Sequence, residues 1–245
     1  MAKQGEIEYL ARLGLAGSDH ARGKPFTDQD CGLLLADLGG ILMMLPPPPA
    51  RVLDLGCGSG WTSVMLARRG YDVVGQDIAA DMIALAEANR EEAGLRNLRF
   101  LVCDYESLAF REEFDAAVFY DSLHHSMDPA ASLAGAFRAL KPGGIVVTVE
   151  PGAGHSASEA ARNAVAQFDV MERDMPPALV AQLGRAAGFT GATAYPMPKM
   201  ISALHYRSVP PSWWPLGDAL YRYLALGWVT LVRRRQYGGM VVLKK

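Results

Sequence analysis

Val52-Leu-Asp-Leu-Gly-Cys-Gly-Ser-Gly-Trp61 is an apolar run that breaks into glycines and then opens a helical stretch. Arg51–Leu55 has the length and composition of a buried strand, and Thr62–Arg69 reads as the helix behind it. Gly56, Gly58 and Gly60 remove the Cβ atoms that would hold a ligand off the backbone. The helix start behind them offers N–H groups with no intrahelical partner. The spacing is G-x-G-x-G, whereas the dinucleotide fingerprint G-x-G-x-x-G needs a glycine where Trp61 stands. Asp54, just ahead of the turn, can accept hydrogen bonds and orient it. An acid there is awkward beside a pyrophosphate and acceptable beside a zwitterionic amino acid.

Outward from this turn the chain alternates. Strands are expected at Tyr71–Gly75, Leu98–Val102, Phe114–Tyr120 and Ile145–Glu150, with helices at Asp81–Ala93 and Ala130–Leu140 and a turn at Lys141-Pro-Gly-Gly. Strands spaced by helices imply βαβ units, a parallel sheet and helices on both faces. Beyond Pro151, helices are expected over Ser156–Gln167 and Pro177–Ala187, and strands at Thr190–Tyr195 and at the terminal Gly-Gly-Met-Val-Val-Leu-Lys. The stretch between these two strands is too long for a hairpin loop and reads as an insertion, about residues 199–236. Pro46–Pro49 stiffens the chain and stops the helix expected at Asp28–Leu45, so residues 1–49 read as an N-terminal helical arm or lid on a domain of residues 50–245.

Composition narrows the class. Of 245 residues, 50% are hydrophobic and 20% charged, a globular balance. A formal net charge of -2 argues against a broad phosphate footprint, so no nucleic-acid partner is expected. Neither is one suggested by an Asn-Pro-Pro-Tyr type motif after the fourth strand, where a flipped base would stack. Met1–Leu15 carries charges rather than a secretory core, and Cys31, Cys57 and Cys103 are odd in number and widely spaced, as for reduced thiols in a cytoplasmic protein. Neither they nor the histidines have metal-ligand spacing, so no metal is expected and turnover should survive chelation.

Asp77 stands at the end of the second strand, where a carboxylate can grip both hydroxyls of a ribose; the alternative is that Asp54 and Asp77 merely cap strand ends. Together these features resemble class I S-adenosylmethionine-dependent methyltransferases. Asp54–Gly60 is similar to the family's first motif, Asp77 to its ribose-binding acid, and Asp104 in Cys103-Asp-Tyr to the acid that meets the adenine amino group. Phe114-Asp-Ala-Ala-Val-Phe-Tyr-Asp-Ser-Leu-His-His125 and Leu140-Lys-Pro-Gly-Gly resemble the fourth-strand motif and the turn before strand five. The resemblance is strong over residues 50–150, holds only in layout for the C-terminal third, and is least before residue 50. It implies an α/β, doubly wound, seven-stranded mostly parallel sheet of order 3-2-1-4-5-7-6 with strand 7 antiparallel. It also implies S-adenosylmethionine as cofactor, held by Asp54, Gly56, Cys57, Gly58, Gly60, Trp61, Asp77, Ile78, Met82, Asp104, Tyr105 and Tyr120. Tyr120 departs from the small residue or Asn often found there, and its ring is expected to reshape the pocket.

The expected reaction is methyl transfer to a small-molecule acceptor, with a hydroxyl oxygen favoured. Much of the acceleration of such an in-line displacement comes from positioning. An acceptor of high pKa also needs a base. The candidates are His155, His125, His124 and Asp121, with His155 foremost and Asp121 an orienting group; adjacent histidines point apart, so one of the pair at most faces substrate. Two other functions compete: a nicotinamide-dependent oxidoreductase on a related fold, and a non-catalytic cofactor-binding partner subunit. His20-Ala-Arg-Gly-Lys-Pro-Phe26 reads either as part of an arm closing over the cofactor or as an exposed tail. Trp213–Arg235 carries Leu216, Leu220, Leu224, Trp228 and Leu231 at helical spacing and ends in three arginines. It reads as a lid packed on the core, as a contact with a membrane surface or lipid-linked acceptor, or as a dimer surface. The oligomeric state, monomer or homodimer, is left open.

Overall fold

A computed structural model describes residues 2–232 and 238–245. Seven strands form one sheet: β1 (Arg51–Leu55), β2 (Asp72–Asp77), β3 (Leu98–Val102), β4 (Phe114–Tyr120), β5 (Leu140–Glu150), β6 (Gly191–Pro196) and β7 (Gly239–Lys244). Their order is β3-β2-β1-β4-β5-β7-β6. β1 pairs in parallel with β2 and β4, while β7 runs antiparallel to β5 and β6. This is the order and direction that the family resemblance implies.

Period-two alternation sorts the core into two layers. Val52, Ala116 and Val118 face α2 (Cys31–Met44), α3 (Trp61–Arg69) and α4 (Ala80–Glu92). Leu53, Leu55, Ala117 and Phe119 face α5 (Pro129–Ala139) and α7 (Pro177–Ala187). Local chemistry fixes the helix ends. Asp128 accepts the Ala131 N–H at 3.0 Å to start α5, and Ser158 accepts the Ala161 N–H at 3.1 Å to start α6 (Glu159–Phe168). α7 starts on Pro177 and stops at Gly188, whose φ is 108°.

Two elements differ from the sequence expectation. Lys141–Gly144 is not a separate turn: β5 begins at Leu140, and the pairing with β4 shifts register between Phe114 and Ala116, a bulge that carries Gly143 at φ 80°. The chain before the arm's expected helix is itself helical, α1 (Ala2–Gly23), broken at Gly14, where φ is 70° and ψ -168°. α1 lies against α4 and α6. The Tyr9 and Phe168 rings meet edge to face at 5.0 Å, and Arg12 donates to the Phe168 carbonyl at 2.7 Å. Gly5 permits this approach, since a Cβ there would sit 2.0 Å from the Asp169 carbonyl oxygen.

The insertion folds as α8 (Pro198–Arg207), α9 (Asp218–Gly227) and a wide helical turn, Trp228–Val232; Arg233, Arg234 and Arg235 lie outside the described residues. α8 docks on α2, where Asp37 accepts the Lys199 N–H at 2.7 Å and faces its ammonium at 3.6 Å. The leucine-tryptophan stripe is not packed on the core: Leu220 is 42% exposed, Leu224 and Trp228 55%, and Leu231 76%. No described helix is long and apolar enough to cross a membrane.

Candidate active site

A cavity of about 360 Å³ opens at the carboxyl ends of β1, β2 and β4, where open α/β sheets bind ligands. Its floor is the glycine turn. The N–H groups of Gly56 and Cys57 both donate to the Gln76 carbonyl at 2.9 Å, which ties the turn to β2. A Cβ on Gly56 would lie 2.6 Å from that of Ser122, so only glycine lets β1 and β4 hand over to their loops side by side. Gly58, at φ 53°, has no protein atom within 4 Å of where its Cβ would project, and it lines the cavity. The space in front of its backbone is free for a ligand.

Asp77 lines the same cavity and accepts N–H bonds from Gly58 (2.8 Å) and Ala79 (2.9 Å). Burial raises its pKa, and these N–H bonds oppose the rise. A carboxylate has about four acceptor positions, so two bonds leave it able to take hydroxyl donors. Ile78, Asp104 and Tyr105 complete this half of the wall. Asp104 accepts the Glu106 N–H at 2.9 Å and pairs with Lys3 of α1; that hydrogen bond is the main reason the Lys3 pKa is raised.

The opposite half is built around a turn, Leu123–His125, after β4. Asp121, at φ 53°, and Ser122 lead into it and line the cavity. Glu150, at the end of β5 and only 1% exposed, organises the turn. One of its oxygens accepts the Ser122 and Leu123 N–H groups at 3.2 and 2.8 Å; the other accepts the His124 N–H at 3.2 Å and meets His124 Nδ1 at 2.8 Å. His124 Nε2 then faces Glu172 at 3.5 Å. His125 Nδ1 donates to the Met171 carbonyl at 2.7 Å and lies 3.3 Å from Glu6 of α1. His155 Nε2 meets the same Glu172 oxygen at 2.6 Å.

Burial alone would lower the His124 pKa, but its bonds to Glu150 and Glu172 outweigh it and lift the pKa to about 10. Glu172 is pushed up by burial and pulled down further by the three histidines, to about 2. His125 is raised as well: burial and the His124 charge oppose this, and Glu6 and Glu172 prevail. Burial raises Asp121, yet the charges of Lys199, His124 and His125 leave it below its ordinary range.

Several expected cofactor residues do not reach this cavity. Asp54 is 1% exposed and accepts the Thr62 and Ser63 hydroxyls, both at 2.6 Å; it braces the start of α3 and is not part of the cavity wall. Cys57 and Gly60 are buried beneath the turn, and Met82 sits in the first turn of α4, off the cavity wall. The Tyr120 ring does not reshape the pocket: it packs on Trp61, edge to face at 5.6 Å, and its hydroxyl donates to Asp37 at 3.5 Å on the α2 side. Of the base candidates, Asp121 and His125 line the cavity; His124 is buried behind them against Glu150, and His155 stands beside Glu172 off the wall. Lys3, Glu6 and Tyr9 of α1, together with Glu150 and Glu172, escaped sequence reasoning because each finds its partners only through the fold. The one available signal was Glu150 at the end of a strand, directly before Pro151.

Residues 53–148 match a family model described as a methyltransferase domain. Over these residues the chain is similar to the class I S-adenosylmethionine-dependent methyltransferases. This sets aside the nicotinamide alternative, as the glycine spacing does independently. Over 100 residues the chain is 38% identical to a ubiquinone biosynthesis O-methyltransferase of Psychrobacter cryohalolentis, covering 40% of this chain and 39% of that one. Over 117 residues it is 33% identical to the tRNA 5-carboxymethoxyuridine methyltransferase of Escherichia coli, covering 46% and 45%. The chain thus spans less than half the length of these curated relatives. The fold is shared with the phosphoethanolamine N-methyltransferase 2 of Haemonchus contortus in complex with phosphomonomethylethanolamine and S-adenosylhomocysteine. There the TM-score is 0.61 at 19% identity, over 88% of this chain and 57% of that one.

Proposed function

We propose that this methyltransferase moves a methyl group from S-adenosylmethionine to a hydroxyl oxygen of a small, non-anionic acceptor. The observation that carries this is the union in one cavity of two halves. One is an open glycine floor beside Asp77 and Asp104; the other is an acid–histidine cluster containing Asp121, His125 and Glu172. Asp77 would hold the ribose, Asp104 the adenine edge, and the backbone at Gly56 and Gly58 the amino-acid end. The donor when bound supplies an electrophilic methyl on a sulfonium; the chain's own residues hold the acceptor in line and receive its proton.

Charge supports the choice of acceptor. Glu6, Asp77, Asp104, Glu106, Asp121 and Glu172 face the cavity, against Lys3 and Lys24. An acidic wall attracts a sulfonium and repels phosphate- or carboxylate-bearing acceptors. The named activity of the Psychrobacter relative, an O-methyltransferase, agrees with an oxygen acceptor. The experiment is calorimetry with S-adenosylmethionine and a nicotinamide dinucleotide, followed by turnover against neutral polyols and phenols and against phosphorylated counterparts. Donor binding with turnover of neutral hydroxyl acceptors is expected. Turnover confined to anionic acceptors or nitrogen acceptors would overturn the assignment, and donor binding with no turnover on any acceptor would favour the partner-subunit alternative.

The exposed face of the insertion bears on where the acceptor is met. Trp213, Leu216, Tyr223, Leu224, Trp228 and Leu231 are all more than half exposed. In sequence the segment ends in Arg233–Arg235 and holds a single acid, Asp218, in a chain of net charge -2, while Lys199, Arg207 and Arg222 are each paired with a carboxylate, Asp37, Asp30 and Asp218. Aromatic and aliphatic side chains accompanied by excess positive charge complement an anionic lipid surface. We infer that this face rests on such a surface and brings the cavity to lipid-linked acceptors.

A further inference from the structure

We propose that His124, His125 and Glu172 bind a divalent first-row metal ion of the zinc type at the inner wall of the cavity. One donor atom from each of these residues lies within 4.8 Å of the other two. Zinc bonds of about 2.0–2.1 Å place tetrahedral ligands about 3.3 Å apart, and His124 Nε2 and Glu172 already stand at 3.5 Å. Glu172, half-buried on the cavity wall, is the ligand that would move to close the remaining span.

The groups behind the three ligands are those a metal site requires. A ligating histidine normally gives its second ring N–H to a carboxylate or a carbonyl, which fixes the tautomer and aims the free lone pair. His124 Nδ1 is held by Glu150 at 2.8 Å, and Glu150 is fixed in turn by three backbone N–H groups. His125 Nδ1 donates to the Met171 carbonyl at 2.7 Å. With Nδ1 so engaged, Nε2 is the nitrogen that each neutral ring offers to an ion; the proton that Glu150 and Glu172 favour on His124 leaves as the ion binds. His155, 2.6 Å from Glu172, is within reach of the same centre, and Glu6 lies beside His125. Two imidazoles and one carboxylate with open positions suit zinc, manganese or cobalt rather than magnesium or calcium, which prefer all-oxygen sets. Chain spacing hides the site, because Glu172 comes from the irregular segment between α6 and α7.

Such an ion would meet the acceptor hydroxyl next to the methyl donor and make its proton easier to lose. That role rests on the proposed methyl transfer to oxygen; the binding of the ion does not. The test uses the full chain without a polyhistidine tag, stripped with a chelator. Titration with Zn2+ by calorimetry and with Co2+ by visible absorption should show one ion per chain and the absorption of a four- or five-coordinate cobalt centre. Mg2+ should give no comparable heat. Glu172→Gln and His125→Asn should each weaken Zn2+ binding at least 100-fold while circular dichroism stays unchanged. Glu150→Gln should weaken it about 10- to 100-fold by loosening His124. Absence of stoichiometric Zn2+ binding, or binding that all three variants leave intact, would overturn the proposal. A protein that methylates hydroxyl acceptors without binding Zn2+ sinks the metal site alone. One that binds Zn2+ at these residues and methylates only nitrogen sinks the acceptor assignment alone.

Discussion

At the scale of single residues, the floor of the cavity and the dock of the insertion give opposite uses of a carboxylate. Asp77 faces ligand space with acceptor positions to spare. Replacing it with Ala should weaken S-adenosylmethionine by about 1–3 kcal/mol, since charge-assisted bonds to hydroxyls would be lost; equal calorimetric affinities would remove Asp77 from the site. Gly58→Val should abolish donor binding, because its side chain would project into that space from a backbone at φ 53°. Asp37 is the reverse case, a fully buried carboxylate serving structure. Burial lifts its pKa to about 6 despite Lys199. The native state then holds a proton that the unfolded chain has already lost between about pH 4 and pH 6. That contribution to stability is complete below pH 4 and is lost as pH rises through 6. Asp37→Asn keeps an acceptor for the Lys199 N–H and does not ionise. Its advantage over the parent should therefore grow across that window to about 3 kcal/mol and then level off. Urea midpoints at pH 4, 5, 6 and 7 measure it, and parallel pH dependences would show that Asp37 does not titrate there.

At the scale of elements, legibility followed locality. β1, the glycine turn and α3 are contiguous, so one stretch of sequence carried strand, turn, helix start and ligand floor together. β4 was read as well, but the turn after it was understood only in part: the adjacency of His124 and His125 is visible, while Glu150, which fixes that turn, arrives from β5. α1 was read only as part of an N-terminal arm or lid, not as a helix of its own. Its buried apolar residues, Leu10 and Ala21, are few, while Ile7 and Leu15 stay exposed, so it shows no stripe at helical spacing. Its place is set by polar and close backbone contacts instead, from Lys3 to Asp104, from Glu6 to His125 and the Met171 N–H, and from Gly5 to Asp169. An element held over a cavity by such contacts is suited to open and reclose, and we propose that α1 is the lid of this site. S-adenosylhomocysteine should then slow hydrogen exchange in residues 2–13 more than in α5, which contributes nothing to the cavity wall among the described residues. Equal changes in the two helices would mean that α1 is a fixed wall.

At the scale of the whole molecule, the balance of charge and apolar surface is uneven. The cavity end is acidic, whereas the insertion combines basic side chains with a broad apolar face. The sequence pattern had placed this stripe at helical spacing, and burial against the core was the favoured reading. The structure shows why that fails: α8, not α9, takes the contact with α2, and α9 rests on α8 with its stripe outward. A monomer rarely leaves so large an apolar patch in water. Binding to a lipid surface makes a salt-dependent prediction that a dimer does not, because basic side chains near an anionic bilayer are screened within about a Debye length. The full chain should sediment with vesicles containing phosphatidylserine or phosphatidylglycerol at low salt and be largely released at 0.5 M NaCl, and it should ignore vesicles of phosphatidylcholine alone. Trp228→Glu should abolish sedimentation while leaving S-adenosylmethionine affinity unchanged, since Trp228 does not line the cavity. If the protein instead ignores every vesicle and Trp228→Glu converts a dimer to a monomer in ultracentrifugation, the face is an interface between two copies and the lipid contact is refuted.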